Sequence, residues 1–160
     1  MASIHRITRA AHLEALNDFR EFIVEHCAGN AGVTDEILYD IQLAVDEACT
    51  NIIMHGYAGM DPGSVIVDLE IDAHKIIISL TDFGHAFEPD SAPVPDVNAP
   101  IEERELGGFG LFFIRQSVDD VKYRTSEDGN TMILTKLLPS PSSAAGTPPS
   151  IINLEDKHGD

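Results

Sequence analysis

Positive charge is scarce in this chain. Ten lysines and arginines stand against 27 aspartates and glutamates, a formal charge of −17 over 160 residues. Such a surface repels phosphate backbones and anionic lipid headgroups, which argues against direct binding to nucleic acid or to a membrane. An anionic ligand must then be held locally, by backbone amides, a metal ion or a few placed cations. Cysteine is nearly absent as well. Cys27 and Cys49 form no close pair, and Cys49 falls on the apolar side of a predicted helix, so buried reduced thiols fit better than a disulfide or a zinc site. Long apolar runs are also lacking. The longest aliphatic stretch, IIISL at 76–80, is far too short to span a bilayer, and MASIHRITRAAHLEALNDF carries no signal core. A cytoplasmic location is expected. Familiar nucleotide signatures are missing too: no Walker lysine, no Rossmann strand-to-helix glycine pattern with a later acid. The letters DFG at 82–84 have neither a glycine-rich loop with a following lysine nor an HRD segment upstream, which excludes the protein-kinase fold.

What remains suits one domain. Hydrophobic residues make up 43% of the chain, and a chain of this length can bury roughly 70% of its unfolded surface. A short strand over Ser3–Thr8 leads into a predicted helix at 12–27, broken by the glycines of CAGNAG. Thr34 or Asp35 can cap a second helix running to His55 and stopped by Gly56. SVIVDLEID and KIIISLTDF read as a hairpin turning at Ala73-His74. The long proline-bearing loop FGHAFEPDSAPVPDVNAPIEERELGG has the character of a functional lid. GFGLFFIRQSVDD reads as a third helix, and DVKYRTSEDGNTMILTKLL as a second hairpin turning at Asp128-Gly129. The expected fold is α+β: a two-layer sandwich with a mixed, mostly antiparallel sheet and helices packed on one face. Residues 1–138 form that unit. The stretch 139–160 opens on PSPSSAAGTPPS and is expected to be a disordered tail.

Three motifs carry chemistry. In LAVDEACTNIIMHGY, Glu47, Asn51 and His55 recur every four residues beside the apolar positions Ile37, Leu38, Ile41, Val45 and Ile52. Ala44 and Ala48 lie between them and leave room for a ligand against the helix. Carboxylate and amide oxygens suit Mg²⁺, and the carboxylate could equally accept a proton as a general base; a solvated helix edge would share the spacing. In SLTDFG, Asp82 emerges from an aliphatic strand, where it can accept a hydrogen bond from an exocyclic amine, and Gly84 permits close backbone approach. In ELGGFGLFFIRQ, Gly107, Gly108 and Gly110 open a helix whose free amides can cradle phosphate.

Together these segments resemble the GHKL, or Bergerat-fold, ATPase superfamily. EACTNIIMHGY looks like its N box, TDFGHAFEP like its first glycine box and GGFGLFFIRQSVDDV like its second. The set is especially similar to the anti-sigma-factor serine/threonine kinases of the RsbW type, with a short ATP lid, over residues 4–138. The resemblance implies roles residue by residue. Glu47 matches the catalytic acid and Asn51 the Mg²⁺ ligand. Asp82 matches the adenine-recognising aspartate, with Gly84 beside it. Gly108 and Gly110, with Phe109 and Leu111, match the phosphate loop. Thr131 matches a threonine near the adenine. Arg104 lies in the lid, where a cation can reach the terminal phosphate, and Arg115 is available on the following helix. His55 is read as structural, closing the helix next to Tyr57. The implied cofactors are ATP and Mg²⁺. The implied partners are a sigma factor and an anti-sigma-factor antagonist of the STAS type, with a possible homodimer.

One departure stands out. The first glycine box ends in Ala86 where the family has a second glycine, and alanine takes positive φ less freely, which bears on lid geometry and nucleotide affinity. A rival reading is a non-catalytic, ATP-gated module that sequesters a partner; Glu47 favours the enzyme, since a pure binder has no need of a carboxylate there. The catalytic module of a sensor histidine kinase would need a helix pair bearing the phospho-accepting histidine, and the chain ahead of the N box has space for one helix only.

Overall fold

A computed structural model describes residues 2–86 and 108–139. Arg104, most of the lid expected after Asp82, and the tail from 140 onward lie outside the described residues.

The chain runs β1 (Ser3–Ala10), α1 (Ala15–Cys27), α2 (Asp35–Asn51), a π-helical turn (Ile52–Gly56), β2 (Ser64–Ile71), β3 (Lys75–Asp82), α3 (Gly108–Ser117), β4 (Asp120–Ser126) and β5 (Gly129–Leu137). The five strands form one sheet in the order β1-β2-β3-β5-β4, antiparallel at every pairing. β2 and β3 alternate strictly between buried and part-buried residues. Such a pattern belongs to strands with only one face covered. Val65, Val67 and Leu69 of β2, Ile76, Ile78 and Leu80 of β3, and Leu134 of β5 point into the core. Phe19 and Ile23 of α1, Ile41 and Val45 of α2, and Ile114 of α3 meet them from the other layer. The two-layer α+β sandwich is therefore the observed architecture. Among the described residues no helix is long and apolar enough to cross a membrane.

Local chemistry sets the boundaries. Thr34 caps α2, its side chain accepting from the Ile37 amide at 3.1 Å. α1 starts at Ala15 rather than at 12, because 12–14 form a turn closed by the Ala15 amide on the His12 carbonyl, and Glu14 offers no side-chain cap. The first hairpin turns as expected through Ala73-His74, with Asp72 Oδ1 accepting from the amides of His74 and Lys75 at 2.7 and 2.9 Å. The second turns one residue early, at Glu127-Asp128, since Ser126 pairs with Gly129. Gly129 is needed in the strand for another reason. Its φ is +125°, and a Cβ there would lie 2.9 Å from the Asp82 carbonyl oxygen.

The C-terminal end of the second helix differs from the simple expectation. Regular α geometry stops at Asn51, and Ile52–Gly56 widen into a π turn. Such turns interrupt helices where a site requires a local change of pitch. Lys136 ties the layers together toward the other end of α2. Its ammonium donates to Asp40 of α2 at 3.1 Å and to the Ser117 carbonyl, at the end of α3, at 2.8 Å.

Candidate functional site: a nucleotide pocket between α2 and the sheet

The end of α2 and the ends of β3 and β5 enclose a cavity of about 230 Å³. Ala48, Asn51, Ile52, His55 and Gly56 line it from the helix side, and Leu80, Met132 and Tyr123 from the sheet. Asp82, His85 and Ala86 complete the wall. Ala48 and Gly56 are the small residues on the helix side; Ala44, the other alanine of the row, is fully buried in the core and does not line the cavity. The lining is mostly apolar with a few polar groups, the usual make-up of a small-molecule site. Complete sites of that kind span roughly 300–1,000 Å³; the described residues enclose a smaller volume.

Asp82 is the buried carboxylate of the cavity wall. It is 6% exposed, and a buried carboxylate must be hydrogen-bonded to be tolerated. Oδ1 accepts from the Gly84 amide at 2.9 Å and from Asn130 Nδ2 at 3.0 Å. Oδ2 carries no hydrogen bond among the described residues. A buried acceptor held ready in an apolar cavity fits the exocyclic amine of adenine.

The loop after β3 is stapled to the turn after α2. The His85 amide donates to the Gly56 carbonyl at 2.6 Å, and His85 Nε2 lies 2.8 Å from the Ala58 carbonyl. Gly84 is required here by packing: a Cβ on it would sit 2.1 Å from the Gly56 carbonyl oxygen. The space it leaves is filled by backbone rather than by ligand. Tyr57, 6% exposed, adds a second staple, accepting from the Phe83 amide and donating to the Ser64 carbonyl, both at 2.8 Å. Burial pushes its phenol up from its ordinary value. Replacing Tyr57 with phenylalanine strands both backbone groups. The expected loss is about 1–3 kcal/mol in chemical denaturation. Ala86 lines the cavity without backbone strain, as no non-glycine residue among those described has positive φ.

Glu47 and Asn51 stand one turn apart on α2, both half-buried. Neither side chain makes a hydrogen bond among the described residues. Burial, and then the neighbouring charge of Asp46, raise the Glu47 carboxyl above its ordinary value. Asp46 itself is engaged by Arg20, at 2.8 and 3.1 Å. A carboxylate left uncompensated and pushed up in pKa is what proton acceptance requires. The same shift has a stability consequence. The folded state holds the Glu47 proton more tightly than the unfolded state, so stability falls as pH rises from the ordinary carboxylate range through the raised value. Glu47→Gln is therefore expected to be more stable than the wild type near pH 7.5, by less than about 1 kcal/mol because the side chain is partly solvated. Denaturation curves should show that gain shrinking as pH is lowered.

The amide oxygen of Asn51, free and at the cavity wall, fits a Mg²⁺ ligand. Mg²⁺ sites of nucleotide enzymes use few protein ligands and complete the shell with phosphate and water. Among the described residues no cluster of three His, Cys, Asp or Glu side chains could hold a metal alone.

Several expected residues stand elsewhere. Gly108, Phe109, Gly110 and Leu111 form the first turn of α3, which packs on α2; the Leu111 side chain is buried. Their contribution is the row of backbone amides that opens a helix. Thr131 requires a correction. Its hydroxyl lies 3.3 Å from that of Thr81, its register partner, on the sheet face away from the helices. Side chains alternate along a strand, so Asn130 and Met132 lie on the face toward the helices instead, and Met132 lines the cavity. His55, read as closing the helix, also lines the cavity. Asn130, Tyr123 and Met132 went unanticipated; pairing Asp82 with Asn130 across the two hairpins is the signal that would have found Asn130.

Comparison with known proteins identifies the family. The family model described as "Histidine kinase-like ATPase domain" matches residues 9–136. The serine-protein kinase RsbW of Listeria monocytogenes (serotype 4a) is 32% identical over 115 residues, covering 69% of this chain and 73% of that protein. RsbW of Halalkalibacterium halodurans is 32% identical over 120 residues, 72% of each chain. The crystal structure of the RsbU and RsbW domains of Rv1364c from Mycobacterium tuberculosis superposes with a TM-score of 0.59 at 20% identity, over 84% of this chain and 32% of that one, a likeness of fold. The cavity, its buried aspartate and these matches lead to one assignment: the chain belongs to the histidine kinase-like ATPase family, among relatives of the RsbW serine-protein kinases.

Proposed function

We propose that the protein binds Mg²⁺·ATP and transfers the terminal phosphoryl group to a serine or threonine of a partner protein, an anti-sigma-factor antagonist, thereby setting the availability of a sigma factor. The observation that carries this reading is Asp82, buried at the cavity wall with one oxygen fixed by two donors and the other open to a base. The names of the relatives support the kinase step.

Phosphoryl transfer of this kind rests on positioning and charge neutralisation. Mg²⁺ held through Asn51 would neutralise charge on the phosphates. Asp82 orients the base, and Leu80 and Met132 exclude water beneath it. Amides of the first turn of α3, from Gly108 to Leu111, face developing negative charge. Arg104 adds a cation from the lid. The partner's hydroxyl oxygen attacks the γ-phosphorus, its proton passes to Glu47, and the bond to the β–γ bridging oxygen breaks to leave ADP. Residues 1–138 form the working unit in this reading. A homodimer and a cytoplasmic setting belong to it as well.

The test is to purify the full chain from native extract with whatever accompanies it and add Mg²⁺·ATP. Mass spectrometry should then find one co-purified protein newly phosphorylated on serine or threonine. Co-purified proteins that gain no phosphate, from a chain shown to bind ATP, would replace the kinase with a nucleotide-gated binding module.

A further inference from the structure

The buried amide of Asn130 has no role assigned so far. It is 3% exposed, directly opposite Asp82 in the β3–β5 register, and it faces the cavity end of the sheet. Its Nδ2 donates to Asp82 Oδ1 and to the Gly84 carbonyl, each at 3.0 Å, while its oxygen accepts from the Thr125 hydroxyl. The orientation of the amide follows from chemistry. Both neighbours on the β3 side are oxygen acceptors, so the NH₂ group must point at them. The hydroxyl of Thr125 can donate to the oxygen that remains.

We propose that Asn130 is the base-specificity determinant of this pocket, a positioning residue that acts through Asp82. With the Gly84 amide it supplies two donors to Oδ1, which fixes the rotation of the carboxylate. Among the described residues Oδ2 is the oxygen of this carboxylate left without a donor. An open acceptor in an apolar wall pairs with an exocyclic amine and rejects a base presenting a carbonyl at the same position, because two acceptors would face each other unpaired. The bond to the Gly84 carbonyl links this arrangement to the strand end that packs on Gly56. A side chain without an amide donor would let the carboxylate rotate. The inference rests on the nucleotide-binding reading and names the residue that makes the site prefer adenine.

The experiment compares Kd for ATP with Kd for purine riboside triphosphate, which lacks the exocyclic amine, and for GTP. The full-length wild type and Asn130→Ala are measured with magnesium by calorimetry. The wild type is expected to favour ATP over the amine-free nucleotide by about tenfold or more, the worth of a hydrogen bond to a charged group. In Asn130→Ala that ratio should fall to within about threefold, through weaker ATP binding with little change for the amine-free nucleotide. Discrimination against GTP should fall with it. A structural role alone would weaken all three nucleotides by one common factor and leave the ratios intact; that outcome overturns the proposal. Asn130→Asp, equal in size, guards against misfolding of the alanine variant. It removes the donor and sets a second carboxylate beside Asp82, and the same collapse of the ratio is expected; unchanged ratios there also overturn the proposal. A wild type that binds none of the three nucleotides refutes the underlying reading. Discrimination that persists in both variants refutes only the role of Asn130.

Discussion

Glu47→Ala is expected to bind ATP as the wild type does and to transfer phosphate about 10²–10⁴-fold more slowly, the usual worth of a general base. The reasoning combines placement and environment. Glu47 lies one turn before Asn51 on α2 but does not line the base cavity, so its removal leaves the contacts of the base untouched. Its carboxyl is raised by burial and by Asp46, and no donor among the described residues stabilises its charge. A group in that state gains by taking a proton. Nucleotide affinity by calorimetry and single-turnover phosphorylation of the partner separate the two properties. Turnover within a few-fold of the wild type would remove Glu47 from the chemistry.

A comparable effect is expected on binding from Gly84→Ala. The added Cβ meets the Gly56 carbonyl oxygen at 2.1 Å and its carbon at 2.6 Å, and neither atom belongs to a flexible side chain. Either β3 must retreat from α2 or the turn after α2 must move. Both motions break the bond from the His85 amide to Gly56, and both displace the Gly84 amide from Asp82. Overpacking of this kind costs about 1–3 kcal/mol of stability or more. Loss of one donor to a buried carboxylate should weaken ATP about tenfold or more besides. Gly59→Ala is the control. Gly59, unlike Gly84, has positive φ, +77°, but nothing lies within 4 Å of an added Cβ. Its cost is then limited to backbone strain of about 1–2 kcal/mol, with ATP affinity unchanged once the protein is folded. Equal losses of affinity in the two variants would show that the contact of Gly84 with Gly56 is not what shapes the site.

Much of the site can be read along the chain because its polar residues interrupt strong apolar patterns. Glu47, Asn51 and His55 stand out at four-residue spacing among alanines and aliphatics. Asp82 stands out because it ends a run of isoleucines. Both signals are local. Asn130 is not legible in that way: its importance arises only when β5 pairs with β3, and one residue of register decides whether position 130 or 131 faces the helices. Thr131, the more suggestive residue in sequence, therefore lands on the wrong face. The two glycines show a second limit. Gly84 reads as room for a ligand and Gly129 as a turn residue, yet each is required by the backbone of a distant segment. The π turn at Ile52–Gly56 is invisible for a third reason, since an apolar run ending in glycine has the same pattern in either helical pitch.

The most direct measurement is calorimetric titration of the full chain with ATP in the presence of magnesium. A single saturable site is expected, with binding lost when Asp82 is replaced by alanine, because the proposed function has that carboxylate hold the base in the cavity between α2 and the sheet. Absence of heat at millimolar ATP, or equal affinity in the Asp82→Ala protein, would contradict the assignment of this cavity as the nucleotide site.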